Sequence, residues 1–120
     1  MFYYYDTCAI AKAFHAEPGS DVIVKLLSNN IEATYISDVT YPEFYSTTYK
    51  KLRSKEITKE ATTIQVCRKF EMTIQYFNVV NVNALIFAES KHLIARWGSK
   101  YDLRTLDALH LAVYTIGGTK

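Results

Sequence analysis

Tyr35-Ile36-Ser37-Asp38-Val39 runs directly into Thr40-Tyr41-Pro42-Glu43, and this junction decides the fold. The first five residues read as a β-strand. The next four read as a helix start, with Phe44, Tyr45, Tyr49 and Leu52 forming the apolar side of the helix that follows. The same order appears on either side. Upstream, Phe2-Tyr3-Tyr4-Tyr5 is a short aromatic strand bounded by the capping residues Asp6 and Thr7, and Ala9, Ile10, Ala13 and Phe14 then recur at helical spacing. Downstream, Asn78-Val79-Val80-Asn81-Val82 reads as a third strand, followed by a helix that Asn83 caps and Gly98 stops after Trp97.

The remaining segments are helical. Pro18-Gly19-Ser20 breaks the first helix, and Asp21 to Leu27 starts another that Asn29-Asn30 closes. Thr58 opens the longest helix, in which Ile64, Cys67, Phe70, Ile74 and Phe77 lie on one face. A last helix starts near Thr105, carries Leu106, Leu109, Ala112, Val113 and Ile116, and ends at Gly117-Gly118. Strands alternating with helices predict an α/β fold with a parallel sheet flanked by helices. In such folds the crossover helices start at the carboxyl edge of the sheet, where sites gather.

With 120 residues the chain is one domain, residues 1–120. Its 49% hydrophobic content rules out a disordered chain, and its size makes disulfide or zinc staples unnecessary. A net charge of +2 excludes a polybasic binder, so any contact with nucleic acid must be a local patch. No apolar run approaches the roughly 18 residues of a membrane span, and Met1–Asp6 lacks the basic start of a signal peptide. Cys8 and Cys67 form no CxxC pair and fit a reducing compartment, which makes the cytoplasm the expected location. There is no H-E-x-x-H, G-x-S-x-G or G-x-x-x-x-G-K, and four glycines leave little for a phosphate-cradling loop.

Three acids stand at or near helix starts: Asp6, Glu43 and Asp107. Each has a structural explanation. Asp6 and Thr7 can cap a helix. Thr40-x-x-Glu43 is a capping-box pattern. Asp107 can complement a helix dipole. Together they suggest phosphodiester hydrolysis, because a hard divalent cation held by carboxylates neutralises the charge that gathers on phosphoryl oxygens.

The same residues carry a resemblance. Tyr5-Asp6-Thr7-Cys8-Ala9 resembles the opening Asp-Thr-Ser of the PIN domain, with Cys8 where that family has serine. Ile36 to Glu43 resembles its second strand and the glutamate on the following helix. Leu103-Arg104-Thr105-Leu106-Asp107-Ala108-Leu109-His110-Leu111-Ala112 resembles the third signature of toxin-type (VapC-like) PIN ribonucleases, and is the most specific block. The resemblance implies a three-layer PIN-like fold and a Mg²⁺- or Mn²⁺-dependent endoribonuclease. It implies the toxin of a toxin–antitoxin pair, with RNA as substrate and a cognate antitoxin as partner. Carried across, Asp6, Glu43 and Asp107 are the catalytic and metal-holding acids, and Thr7 is a supporting hydroxyl. The family continues into a further strand and a fourth acid, whereas this chain stops at Gly117-Gly118-Thr119-Lys120. The expectation is therefore a missing C-terminal strand, weaker metal binding and a homodimer that covers the exposed edge. The alternative is a PIN-like module that binds RNA or protein without cutting.

Other residues have two readings each. Arg104 is a candidate phosphate contact or the partner of an acid. His110, three residues after Asp107, allows a D-x-x-H metal pair, although packing or hydrogen bonding inside an apolar helix is the expected role. Lys50, Lys51, Arg53 and Lys55 either complement a helix end or meet RNA phosphates. Tyr41 and Tyr45 flank Glu43 and either stack on bases or pack.

Overall fold

Helices cover both faces of a three-stranded parallel sheet in a computed structural model that describes residues 2–117. The order along the chain is β1 (Tyr3–Tyr4), α1 (Thr7–Ala11), α2 (Ser20–Asn29), β2 (Thr34–Ser37), α3 (Thr40–Arg53), α4 (Glu60–Ile74), β3 (Asn78–Val80), α5 (Ala84–Trp97) and α6 (Thr105–Ala112). A 3₁₀ turn, Ile31–Ala33, leads into β2, and a π-turn, Val113–Gly117, follows α6. The expected missing strand and the chain end fall on residues 118–120, outside the described residues. Among the described residues, no helix is long and apolar enough to cross a membrane.

β2 is the central strand. Tyr4 lies opposite Tyr35 on one side, and Tyr35, Ile36 and Ser37 lie opposite Asn78, Val79 and Val80 on the other. Alternation along the strands sends successive side chains to opposite faces. Tyr5 and Ile36 enter one core with Ile10, Leu27, Phe44, Cys67, Phe70, Ile74 and Phe77. Tyr4 and Val80 pack instead on the second core, built from Ile86, Leu109, Ala112 and Val113 of α5, α6 and the π-turn. The first core is aromatic at its centre: the Phe44 and Phe70 rings stack at 4.0 Å, and Phe14 meets both edge-on.

The elements depart from their sequence reading in instructive ways. Gly19 takes the left-handed conformation, φ 92°, that lets the chain turn into α2. The first helix ends at Ala11, and Phe14 reaches the core from the turn after it. On α4, Cys67, Phe70 and Ile74 are buried, but Ile64 is 42% exposed and Thr63 takes the inward position. On α6, Leu109 and Ala112 are buried, whereas Leu106 is exposed. The capping box at α3 does not form. Val39 takes the N-cap position, and the buried Thr40 hydroxyl has no partner among the described residues. Glu43, released from that role, is drawn across the sheet edge toward α1 and α6.

Candidate metal and nuclease site

The carboxyl ends of the strands deliver the site residues from separate elements. β1 runs into Asp6 and Thr7, β2 into Asp38 and α3, and α6 brings His110 to the same end. Thr7 is buried at the start of α1, and its hydroxyl donates to Glu43 Oε1 at 2.6 Å. His110 Nε2 donates to the same oxygen at 2.7 Å. The Tyr4 hydroxyl bonds to the other ring nitrogen, Nδ1, so four residues from β1, α1, α3 and α6 form one hydrogen-bonded chain. The Glu43 and His110 side chains are only 19% and 11% exposed, which shields the pair from water.

Local chemistry fixes the ionisation of this chain. Burial alone would raise the Glu43 pKa, but the hydrogen bonds from His110 and Thr7 favour the charged form and hold it below the ordinary carboxylate value. Burial, then the nearby charge of Asp6, pushes the Tyr4 hydroxyl well up, with Glu43 and Asp38 adding to the shift. Tyr4 is therefore a stable O–H group rather than a phenolate.

Asp6 and Asp107 are exposed acids that flank this chain, and each rests on its own helix. Asp6 is the N-cap of α1 and accepts from the Ala9 amide at 2.9 Å. Asp107 reaches back to accept from the Arg104 amide at 3.2 Å. The cap expected of Asp6 is thus present, and Asp107, expected only to complement the helix dipole, closes a capping box as well. These caps engage Asp6 Oδ1 and Asp107 Oδ2, and Glu43 uses Oε1, so within the described contacts the second oxygen of each acid has no protein donor. Exposed Cys8 senses all three acids: burial, then the charges of Asp6, Glu43 and Asp107, push its thiol up. Among the described residues, no three His, Cys, Asp or Glu side chains are gathered tightly enough to hold a metal ion. The donor set itself, carboxylates with one uncommitted oxygen each, fits a hard divalent cation.

The other candidates separate. Arg104 is 79% exposed, with Asp102 3.7 Å from its guanidinium. Lys51 is tied to Glu17 at 3.4 Å and Glu56 at 3.1 Å, while Lys50, Arg53 and Lys55 stay exposed at the far end of α3 from Glu43. Tyr41 and Tyr45 are turned toward α4: Tyr41 meets Phe70 edge-on, and the Tyr45 hydroxyl donates to Glu71 at 2.6 Å. Packing is thus the role the structure gives both tyrosines. Three participants carry roles the sequence did not reveal. Tyr4 looks like any strand aromatic, since its partner lies 106 positions away. His110 was visible through its spacing from Asp107, but it bonds to Glu43 instead. Asp38 accepts from the Val82 amide at 3.1 Å and ties the ends of β2 and β3 together.

The PIN domain family model matches residues 3–119, and the chain belongs to that family. PIN domains are generally a nuclease fold, usually metal-dependent. Among curated proteins, none matches the sequence significantly.

Proposed function

We propose that this chain is a Mg²⁺- or Mn²⁺-dependent endoribonuclease that hydrolyses RNA phosphodiester bonds, with Asp6, Glu43 and Asp107 as its metal-holding acids. The observation that carries this reading is the placement of Glu43. It leaves the capping-box role at its own helix unused and instead takes the donors Thr7 and His110 at the strand ends. A cation bound there supplies neutralisation of the charge that develops on the phosphoryl oxygens. Thr7 fixes the Glu43 carboxylate through Oε1 and leaves the second oxygen to face the site. Exposed Asp6 and Asp107 can exchange their backbone amides for water or ligand without disturbing a core. Arg104, exposed at the start of α6, is the cation best placed beside Asp107 to meet a substrate phosphate.

The finer assignment is the toxin of a toxin–antitoxin pair acting in the cytoplasm. It rests on the block from Leu103 to Ala112. A protein partner, whether an antitoxin or a second copy in a homodimer, is supported by Leu85 and Phe87 on α5 and Leu106 and Leu111 on α6, all exposed on the paired helices. The test is incubation of end-labelled structured RNA with the chain in Mn²⁺ and in EDTA, alongside Glu43→Gln. Discrete fragments are expected only from the unmutated chain in Mn²⁺. Retarded but intact RNA in Mn²⁺ contradicts the proposal and identifies a binding module.

A further inference from the structure

We infer that Tyr4 and His110 are positioning residues for Glu43: Tyr4 orients the His110 ring, and His110 with Thr7 fixes which carboxylate oxygen faces the site. This rests on the reading of Glu43 as a metal-holding acid.

An ionised carboxylate only accepts, so the 2.7 Å contact to Glu43 Oε1 requires a proton on His110 Nε2. In a neutral ring Nδ1 is then the acceptor, and the Tyr4 O–H supplies its proton. Thr7 and His110 both donate to Oε1 from opposite sides of the sequence, α1 and α6. Two donors on one oxygen leave Oε2 as the free atom and remove the freedom of the carboxylate to rotate. A metal-binding residue held by such outer partners is better preorganised, and loss of a partner typically weakens metal affinity about ten- to a hundredfold. His110 is built into the fold for this: its neighbours Leu109 and Ala112 are buried in the second core, and Tyr4 packs on the same cluster. Their burial fixes the face of α6 from which His110 reaches Glu43.

Long-range ¹⁵N–¹H spectra of the metal-free protein, recorded in mildly alkaline buffer, test the chain of bonds itself. They should show His110 Nε2 protonated and Nδ1 as a hydrogen-bonded acceptor, with Tyr4→Phe moving the Nδ1 signal most. Mn²⁺ calorimetry tests the consequence. His110→Leu should weaken binding about ten- to a hundredfold, and His110→Gln, whose amide N–H can reach the same oxygen, should restore most of it. In a Glu43→Ala background, His110→Leu should change affinity by no more than about twofold. An Nδ1-protonated tautomer, or an equal loss in both backgrounds, overturns the inference. A wild-type chain that shows the predicted ring signals but neither binds Mn²⁺ nor cuts RNA refutes the nuclease reading and supports the hydrogen-bonded chain as such.

Discussion

Asp6 carries two jobs in this account, a helix cap and a charge at a cation site, and paired substitutions separate them. Asp6→Asn keeps an oxygen that can accept from the Ala9 amide, and asparagine ranks with aspartate as an N-cap. What it removes is a negative charge at the start of α1. Loss of that charge at the start of α1 costs about 0.3–1 kcal/mol of dipole stabilisation, partly offset by relief of repulsion among the acids. Asp6→Asn should therefore melt within a few degrees of wild type. Asp6→Ala also loses the cap, worth about 1 kcal/mol, which for a domain of this size lowers the midpoint by about 4 °C. Cleavage behaves differently. Charge stabilisation through a metal is worth several kcal/mol, so both variants should fall at least about a hundredfold at 1.36 kcal/mol per factor of ten. Thermal melts and initial rates on one RNA in Mn²⁺ are the assay. An Asp6→Asn protein that keeps wild-type activity while Asp6→Ala loses it would show that only the cap matters, and would remove Asp6 from the site.

Cys8 reports the same field without RNA: Asp6→Asn, or Mn²⁺ added to wild type, should lower its thiol pKa and speed its alkylation, while buried Cys67 stays unlabelled in the native protein. An unchanged alkylation rate on both treatments would place the charge and the cation away from the strand end. Thr7→Val removes the donor to Glu43 and should cut activity about ten- to a hundredfold, with Thr7→Ser recovering it; full activity in Thr7→Val would contradict the role of the hydroxyl. His15 offers a test of the core by pH. Burial, then Lys51, holds its folded pKa below 6.5, so its stabilising contribution is complete above about 6.5 and is lost as pH falls through the folded value. Denaturant melts of His15→Gln should show a shallower loss of stability over that window than wild type, and parallel curves would refute the assignment.

The strand–helix alternation was legible because parallel strands and amphipathic helices leave strong local patterns, as Ile36 and the stretch from Cys67 to Ile74 show. Boundaries were less so. Ile64 fits the helical period of α4 yet faces solvent, because Thr63, one position earlier, meets the core instead. At the site, Asp107 was read only as a dipole complement, but Asp6 could be placed by its cap, since capping is a contact over three residues. Glu43 could not. Its local pattern matched a capping box, and only the packing of α1 and α6 against the sheet edge supplies the competing donors Thr7 and His110. Tyr4 and His110 meet across 106 positions, a contact no periodicity encodes. The tyrosines flanking Glu43 show the converse. Their proximity in sequence suggested the site, but one helical turn sends Tyr41 and Tyr45 to α4.

The central claim is that Asp6, Glu43 and Asp107 take one divalent cation between them. Anomalous diffraction from crystals soaked in Mn²⁺ measures this most directly. The account predicts one strong peak at the strand ends, about 2.1–2.2 Å from an oxygen of each of the three carboxylates, with Glu43 binding through the oxygen that Thr7 and His110 leave free. Manganese bound elsewhere, or a saturated soak in which the three carboxylates keep their backbone caps and hold no ion, would contradict it.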